Sequence, residues 1–220
     1  MAVLVIDIGG NNVKLGCDGA QIGKVSSGPD LVPAAMVEGV RGQLSLDRFD
    51  RISIGCPGPV RDGVLLVEPV NLGKGWVGFD FAAAFGLPTR LVNDAAMQAL
   101  GSWESGKMLF LGLGTGLGAA LVVDGLVLGL EVAHLPYRPK RTYEDCVATR
   151  GYRRLGRKRW EQAVLDVVDR LRRAMVADEV VLGGGNTKRL TVLPPFCRAG
   201  DNARALVGGM RLWATDMRIL

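Results

Sequence analysis

The chain has one histidine, His134, and four cysteines, Cys17, Cys56, Cys146 and Cys197, which are dispersed with no Cys-x-x-Cys pair among them. Structural zinc needs about four such ligands in paired spacing, so no structural zinc is expected. Long hydrophobic runs are also missing. The apolar run from Ala2 to Ile6 is cut off by Asp7, too short for a signal peptide, which leaves reduced thiols and a cytoplasmic location as the expectation. The longest uncharged stretch, Met108 to Val123, carries four glycines and is shorter than the ~20 residues that a membrane helix needs, so no membrane partner is expected. Basic residues do cluster, at Arg150, Arg153, Arg154, Arg157, Lys158 and Arg159, yet only Tyr152 and Trp160 are interleaved with them. That is too little stacking surface for a nucleic-acid platform, and the run reads first as a solvated helix face, with a polyanion site as its rival.

What is present is the composition of a globular protein. The 220 residues are 48% hydrophobic and 22% charged, with 31 glycines, enough for one or two compact units. A net charge of +5 favours anionic ligands such as phosphates.

An internal repeat organises the chain. Val3 to Gly23 aligns without gaps to Leu109 to Gly129, an offset of 106 residues. In each copy an apolar run ends at a glycine-bearing turn, Gly9-Gly10 or Gly114-Thr115-Gly116. A second run follows, and Asp18-Gly19 or Asp124-Gly125 opens a third. Asp-Gly between apolar runs is a strong hairpin signal. Each copy therefore predicts a three-stranded antiparallel meander, and two copies imply two lobes facing each other across a cleft, where ligands commonly bind.

The first meander is followed by a predicted helix near Ala34 to Leu46, a strand at Ile52 to Ile54 and a Cys56-Pro57-Gly58-Pro59 loop. A short helix near Asp80 to Phe85, a strand at Thr89 to Val92 and a helix capped by Asn93 and running to about Ser102 come next. After the second meander the pattern gives helices from Tyr143 to Ala177 broken near Gly156, a strand at Glu179 to Leu182, a Gly183-Gly184-Gly185 turn and a last helix from about Asn202. The alternation makes the class α/β. The expected division is 1–95 and 96–220, with the last helix packing back on the first lobe.

Three turns can carry chemistry. Asp7-Ile8-Gly9-Gly10-Asn11-Asn12-Val13-Lys14 places a carboxylate at a strand end beside open backbone N–H groups, which suits a Mg²⁺–phosphate complex, although an ordinary hairpin has the same look. Gly114-Thr115-Gly116 lets the backbone approach an anion and adds a hydroxyl. Gly114-x-Gly116-x-x-Ala119 also fits a dinucleotide fingerprint, but that motif must open a helix, and the residues after it read as a strand. Gly183-Gly184-Gly185-Asn186 leads from strand toward helix and could admit a flat nucleoside or further phosphate.

Over nearly the entire length these motifs resemble the ROK family of bacterial sugar kinases, within the superfamily that hexokinase and actin share. The resemblance implies a two-lobed actin-like ATPase (ribonuclease H-like) fold with duplicated βββαβα-type halves. It implies a first phosphate motif at Asp7, Gly9, Gly10, Asn11 and Lys14, a second at Gly114, Thr115 and Gly116, and an adenosine-side motif at Gly183, Gly184, Gly185 and Asn186. Asp7 would hold Mg²⁺ through water. Asn93-Asp94-Ala95 matches the sugar-binding and catalytic turn, with Asn93 on a sugar hydroxyl and Asp94 as base; helix capping is the rival role. Glu131-x-x-His134 resembles a Glu-x-Gly-His sugar clamp with Ala133 in place of the glycine, Glu144 a downstream sugar-binding glutamate, and Asn71 the Asn of a Pro-Asn-Leu stretch. Asn11 stands where the family usually has threonine. The run Arg198 to Asn202 is similar to one found in polyphosphate glucokinases.

The function so implied is phosphoryl transfer from ATP or polyphosphate to a hexose, glucose first; a homodimer is expected only because dimers are the commonest soluble homo-oligomers. The alternative is a non-catalytic sugar-binding regulator of the same fold. Regulators of that kind carry an N-terminal DNA reader, and here the first strand is already under way at Val3.

Overall fold

The structure is a computed structural model that describes residues 2–201, 203–215 and 217–219. The first half runs β1 (Val3–Ile8), β2 (Asn12–Cys17), β3 (Ala20–Ser26), α1 (Pro33–Gln43), β4 (Arg51–Cys56), the small hairpin β5 (Val60–Arg61) and β6 (Val64–Leu65), α2 (Phe81–Phe85), β7 (Thr89–Asn93) and α3 (Asp94–Ser102). The second runs β8 (Lys107–Leu113), β9 (Leu117–Val123), β10 (Leu126–Leu130), the hairpin β11 (Pro136–Arg138) and β12 (Arg141–Thr142), α4 (Tyr143–Val147), α5 (Thr149–Met175), β13 (Glu179–Gly183), β14 (Cys197–Ala199), α6 (Arg204–Arg211) and β15 (Arg218–Ile219).

The repeat seen in the sequence is a repeat in space. One sheet has the order β3-β2-β1-β4-β7, the other β14-β13-β8-β9-β10-β15. In each, a meander is antiparallel and the next two strands add parallel on the far side of its first strand. Both Asp-Gly turns place two consecutive residues at positive φ, 51° and 76° at Asp18-Gly19 and 48° and 81° at Asp124-Gly125, the geometry that matches the twist of a two-residue hairpin. The result is the duplicated, two-lobed α/β arrangement that the repeat predicts.

Strand β1 is buried on both faces. Leu4, Ile6 and Ile8 pack with Met36, Val37 and Val40 of α1, while Val3 and Val5 face Ala205 and Leu206 of α6. In α5 the apolar positions Trp160, Ala163, Val164, Val167, Val168 and Leu171 recur at helical spacing and cover the second sheet. Gly156, at φ 72° and ψ 164°, kinks this helix where the break is predicted.

The two halves exchange their last helices. Helix α3 lies on β8, β9 and β10 as well as its own β4 and β7, and α6 lies on β1, β2 and β4. The Ser53 hydroxyl donates to the Gly209 carbonyl of α6 at 2.6 Å, and Gly209 sits directly on the Val5 side chain. The last helix thus packs back on the first sheet. It begins at Arg204; Asn202, the predicted start, lies outside the described residues. Strands β14 and β15 and the two small hairpins are not among the predicted elements.

Candidate active site

The ends of β1, β7 and β8 point at one another across a cleft of about 340 Å³. Its walls carry Gly9 and Gly10 from the β1–β2 turn, Asn93 and Asp94 from the start of α3, Gly114, Thr115 and Gly116 from the β8–β9 turn, and Gly184 after β13. Asn71, Glu131, His134 and Glu144 line the same space. All six sugar-side candidates therefore converge, although they come from four separate stretches of chain. A larger hollow of about 450 Å³ lies elsewhere, against Phe79, Phe81 and Leu91, and none of the glycine turns reaches it.

Asp94 is the first residue of α3, and its Oδ1 accepts the Ala95 N–H at 2.8 Å. Burial, and then the neighbouring Asp7 carboxylate, push its pKa up to about 7 against the Ala95 N–H, which lowers it, with Glu131 adding to the rise. Asp7 is 6% exposed and faces Lys14, its cross-strand neighbour, with Nζ 3.5 Å from Oδ2. Burial raises the Asp7 pKa and Lys14 lowers it. Lys14 thus pairs with Asp7, while Asp94 has the Asp7 carboxylate as a like-charged neighbour.

Asn93 does cap α3, its Oδ1 accepting the Ala96 N–H at 3.1 Å, and its Nδ2 donates to the Gly58 carbonyl at 2.9 Å. It therefore also ties the Pro57-Gly58 loop to the cleft rim. Glu131 and His134 lie on the turn after β10 rather than on a helix, and both are exposed. Withdrawal from solvent raises the Glu131 pKa, His134 lowers it and Glu144 raises it. Glu144 is held at both ends: Oε2 accepts the Leu117 N–H at 3.0 Å and Oε1 accepts Arg150 Nη2 at 2.8 Å.

The glycine turns are built for close backbone approach. Gly184 has φ 82°, and a Cβ there would stand 2.4 Å from the Leu113 carbonyl oxygen. A Cβ on Gly116 would stand 2.6 Å from Glu144 Oε2. The residues after Ala119 form strand β9 and no helix, so the dinucleotide reading of Gly114 to Ala119 is excluded. Gly184 and Gly185 also open on an adjoining hollow of about 580 Å³, walled by Leu190, Leu193, Ala199 and Gly200.

Several predicted residues stand behind these walls. Asn11 is exposed on the first turn, its carbonyl accepting the Ser27 N–H at 3.1 Å, and Lys14 reaches the cleft only through Asp7. Gly183 packs on the Phe110 ring. Asn186 is 6% exposed; its Nδ2 donates to the Gly114 carbonyl and to Thr149 Oγ1, both at 3.0 Å, and its Oδ1 accepts from Arg189. It locks the third turn onto the second. Three further residues join the site: Arg150 behind Glu144, Thr149 on the Gly114 carbonyl, and Gln98 on the cleft wall. Their only sequence signal is position, Gln98 one helical turn after Asp94 and the other two at the head of the basic run.

Among known proteins, no family model matches the chain. It is 31% identical over 149 residues to an N-acetylmannosamine kinase of Salmonella paratyphi A, covering 58% of this chain and 50% of that protein. It is 24% identical over 206 residues to the polyphosphate glucokinase of Mycobacterium leprae, covering 84% and 63%. The chain thus spans about half to under two thirds of the length of the curated relatives it matches. In structure it superposes on the inorganic polyphosphate/ATP-glucomannokinase of Arthrobacter sp. strain KM with a TM-score of 0.77 and 22% identity, over 94% of this chain and 96% of that one. The structural neighbours of this two-lobed chain include ROK-family sugar kinases, among them the ROK hexokinase of Thermus thermophilus, and a ROK family transcriptional regulator.

Proposed function

We propose that the chain is a sugar kinase that moves a phosphoryl group from ATP or polyphosphate to a hexose hydroxyl, with Asp94 as the base. The observation that carries the reading is the convergence on Asp94: a carboxylate with its pKa near 7 lies in one cleft lined by three glycine turns and by Asn71, Glu131, His134 and Glu144.

The chemistry asks for positioning and charge more than for covalent work. Carboxylates, an amide and an imidazole are the groups that hold several vicinal hydroxyls, by accepting from some and donating to others. Asp94 orients the attacking hydroxyl and takes its proton as the new O–P bond forms and the bond to the leaving phosphate breaks. A carboxylate with an ordinary pKa of about 4 would be a weaker acceptor at neutral pH. Backbone N–H groups of the glycine turns line the path of the phosphates, as suits an anion.

The residues present fit a divalent cation. Asp7 and Asp94 are like-charged neighbours with raised pKa values, and the ion pair of Lys14 is to Asp7, so this pair of acids is short of positive charge. Mg²⁺, when bound, supplies that charge and neutralises the donor phosphates, with Asp7 as the residue to hold it through water.

The hollow beyond Gly184, with Leu190 and Leu193 in its wall, suits the flat face of a nucleoside and favours ATP. The basic face of α5 favours polyphosphate as a second donor, because Arg153, Lys158 and Arg159 are exposed and have no ion pair among the described residues. Glucose is the first substrate to try, with mannose and N-acetylmannosamine beside it. Mg²⁺-dependent transfer to these hexoses from ATP and from polyphosphate, with Asp94→Asn as control, tests the reading. Turnover lost in the variant supports it, and no turnover across the panel moves the weight to a sugar-binding protein without catalysis.

A further inference from the structure

We infer that Gln98 is a donor-binding residue: its amide contacts the phosphate chain of the phosphoryl donor between the nucleoside-side hollow and Asp94. The inference deepens the kinase reading and rests on it.

Residues four apart on a helix are neighbours on one face, about 5–6 Å between their Cβ atoms. Asp94 and Gln98 stand in that relation on α3, and both line the cleft. The Gln98 side-chain oxygen lies beside Gly183, 3.4 Å from the place where a Cβ on that glycine would stand. Gly183 is the last residue of β13, and Gly184, next along the chain, lines both the cleft and the adjoining hollow. Gln98 therefore sits at the junction of the two spaces, on the donor side of Asp94.

The surroundings explain why the residue is not there for packing. Helix α3 rests on the second sheet through Ala95, Ala96 and Ala99, with Phe110 and Val181 beneath them. Gly183 and Gly112 are register partners in that sheet, and the absence of two side chains leaves the room that the Phe110 ring and the Gln98 amide occupy. The half-buried Gln98 lines the cleft, and its amide makes no hydrogen bond to another side chain or backbone group among the described residues, so its N–H groups are available to a ligand there. An anion in the cleft supplies the missing acceptor for its N–H groups. A neutral amide can donate to phosphate oxygens without neutralising Asp94 one turn away, as a lysine in this place would.

The test uses the full chain, with Gln98→Met to keep the volume and remove the donor, and Gln98→Glu to reverse the preference for an anion. Binding of an ATP analogue and of tripolyphosphate is measured by calorimetry without turnover, beside steady-state kinetics with donor and sugar varied in turn. The expected result is a donor affinity about tenfold to a hundredfold weaker in Gln98→Met, the range for a hydrogen bond to a charged group, a larger loss in Gln98→Glu, and an unchanged sugar KM. Unaltered melting of the Met variant shows that the fold is kept. A wild-type protein that turns over while both variants bind donor normally overturns the inference and leaves the kinase reading standing, as does a loss confined to the sugar KM. Donor binding that depends on Gln98 in a protein without hexose turnover upholds the inference and overturns the kinase reading. A protein that binds neither donor overturns both.

Discussion

Gly101 of α3 and Gly208 of α6 meet backbone to backbone: a Cβ at 101 would stand 1.8 Å from the Arg204 carbonyl oxygen, and one at 208 would stand 1.8 Å from that of Met97. The exchanged helices that join the two sheets cross at this pair. Either glycine replaced by alanine must separate the helices, and overpacking of this kind costs about 1–3 kcal/mol or more. For a chain of this size that lowers Tm by roughly 2–12 °C. Gly42→Ala is the control, since a Cβ there meets nothing within 4 Å and the substitution in exposed helix is expected to stabilise by about 0.5–1 kcal/mol. Thermal melts of the three variants check the crossing.

Asp94 is expected to cost stability where it is ionised. Its pKa is raised from 3.8 to about 7 in the folded chain, so the folded state holds the proton more tightly than the unfolded one. The neutral acid is favourable below the unfolded pKa, and that contribution is lost as pH rises through about 7. Asp94→Asn imitates the neutral form, and it is expected to raise Tm more at pH 8 than at pH 5. The same titration sets activity, since kcat/KM of the wild-type chain is expected to fall as pH drops below about 7 and the base becomes protonated. A Tm difference independent of pH would show that Asp94 keeps an ordinary pKa.

The basic run divides into anchored and open residues. Arg150 is paired with Glu144 and Asp145, Arg154 donates to the Asp145 carbonyl, and Arg157 donates to the Arg189 carbonyl. Arg153, Lys158 and Arg159 are exposed and make no ion pair among the described residues. Reversal of these three to glutamate is expected to cut polyphosphate-supported turnover by about tenfold or more and to flatten its dependence on salt, by analogy with counterion release from nucleic acids. ATP-supported turnover should stay within about twofold, because none of the three lines the cleft or the adjoining hollow. Equal losses with both donors would mean that the run acts through the fold.

The duplication was legible because hairpin turns obey strict local chemistry. Asp18-Gly19 and Asp124-Gly125 need positive φ, and little else than Asp-Gly or Asn-Gly satisfies two such positions in a row. The helix after Asn93 was legible for the same reason, through its cap. Strand β14 was not: it has three residues, follows Pro194-Pro195 and is formed by pairing with β13 rather than by its own pattern. The exchange of α3 and α6 is a long-range event, and its one local trace is glycine inside a helix, at 101, 208 and 209, where propensity alone argues against it. At the site, the glycine turns were legible from their own spacing, whereas Asn71, Asn93, Asp94, Glu131, His134 and Glu144 were picked out through the family resemblance. The supporting bonds from Arg150, Thr149 and Asn186 depend on where α5 and β13 end relative to the second turn, which no local pattern encodes.

Asn186 gives the sharpest separation between support and contact. Its side chain makes three hydrogen bonds to Gly114, Thr149 and Arg189 while almost fully buried. Asn186→Ala leaves the Gly114 carbonyl with the Thr149 backbone N–H and hydroxyl as its remaining partners, and is expected to cost about 2–3 kcal/mol in urea denaturation. Asn186→Asp keeps the shape but sets a carboxylate against the Gly114 carbonyl, so it should be the less stable variant at pH 7 and recover as pH falls and the acid is protonated. If Asn186 acts only by fixing the second turn, donor affinity in the alanine variant should fall equally for ATP and tripolyphosphate. A loss for ATP alone would instead place the Asn186 amide in contact with the nucleoside.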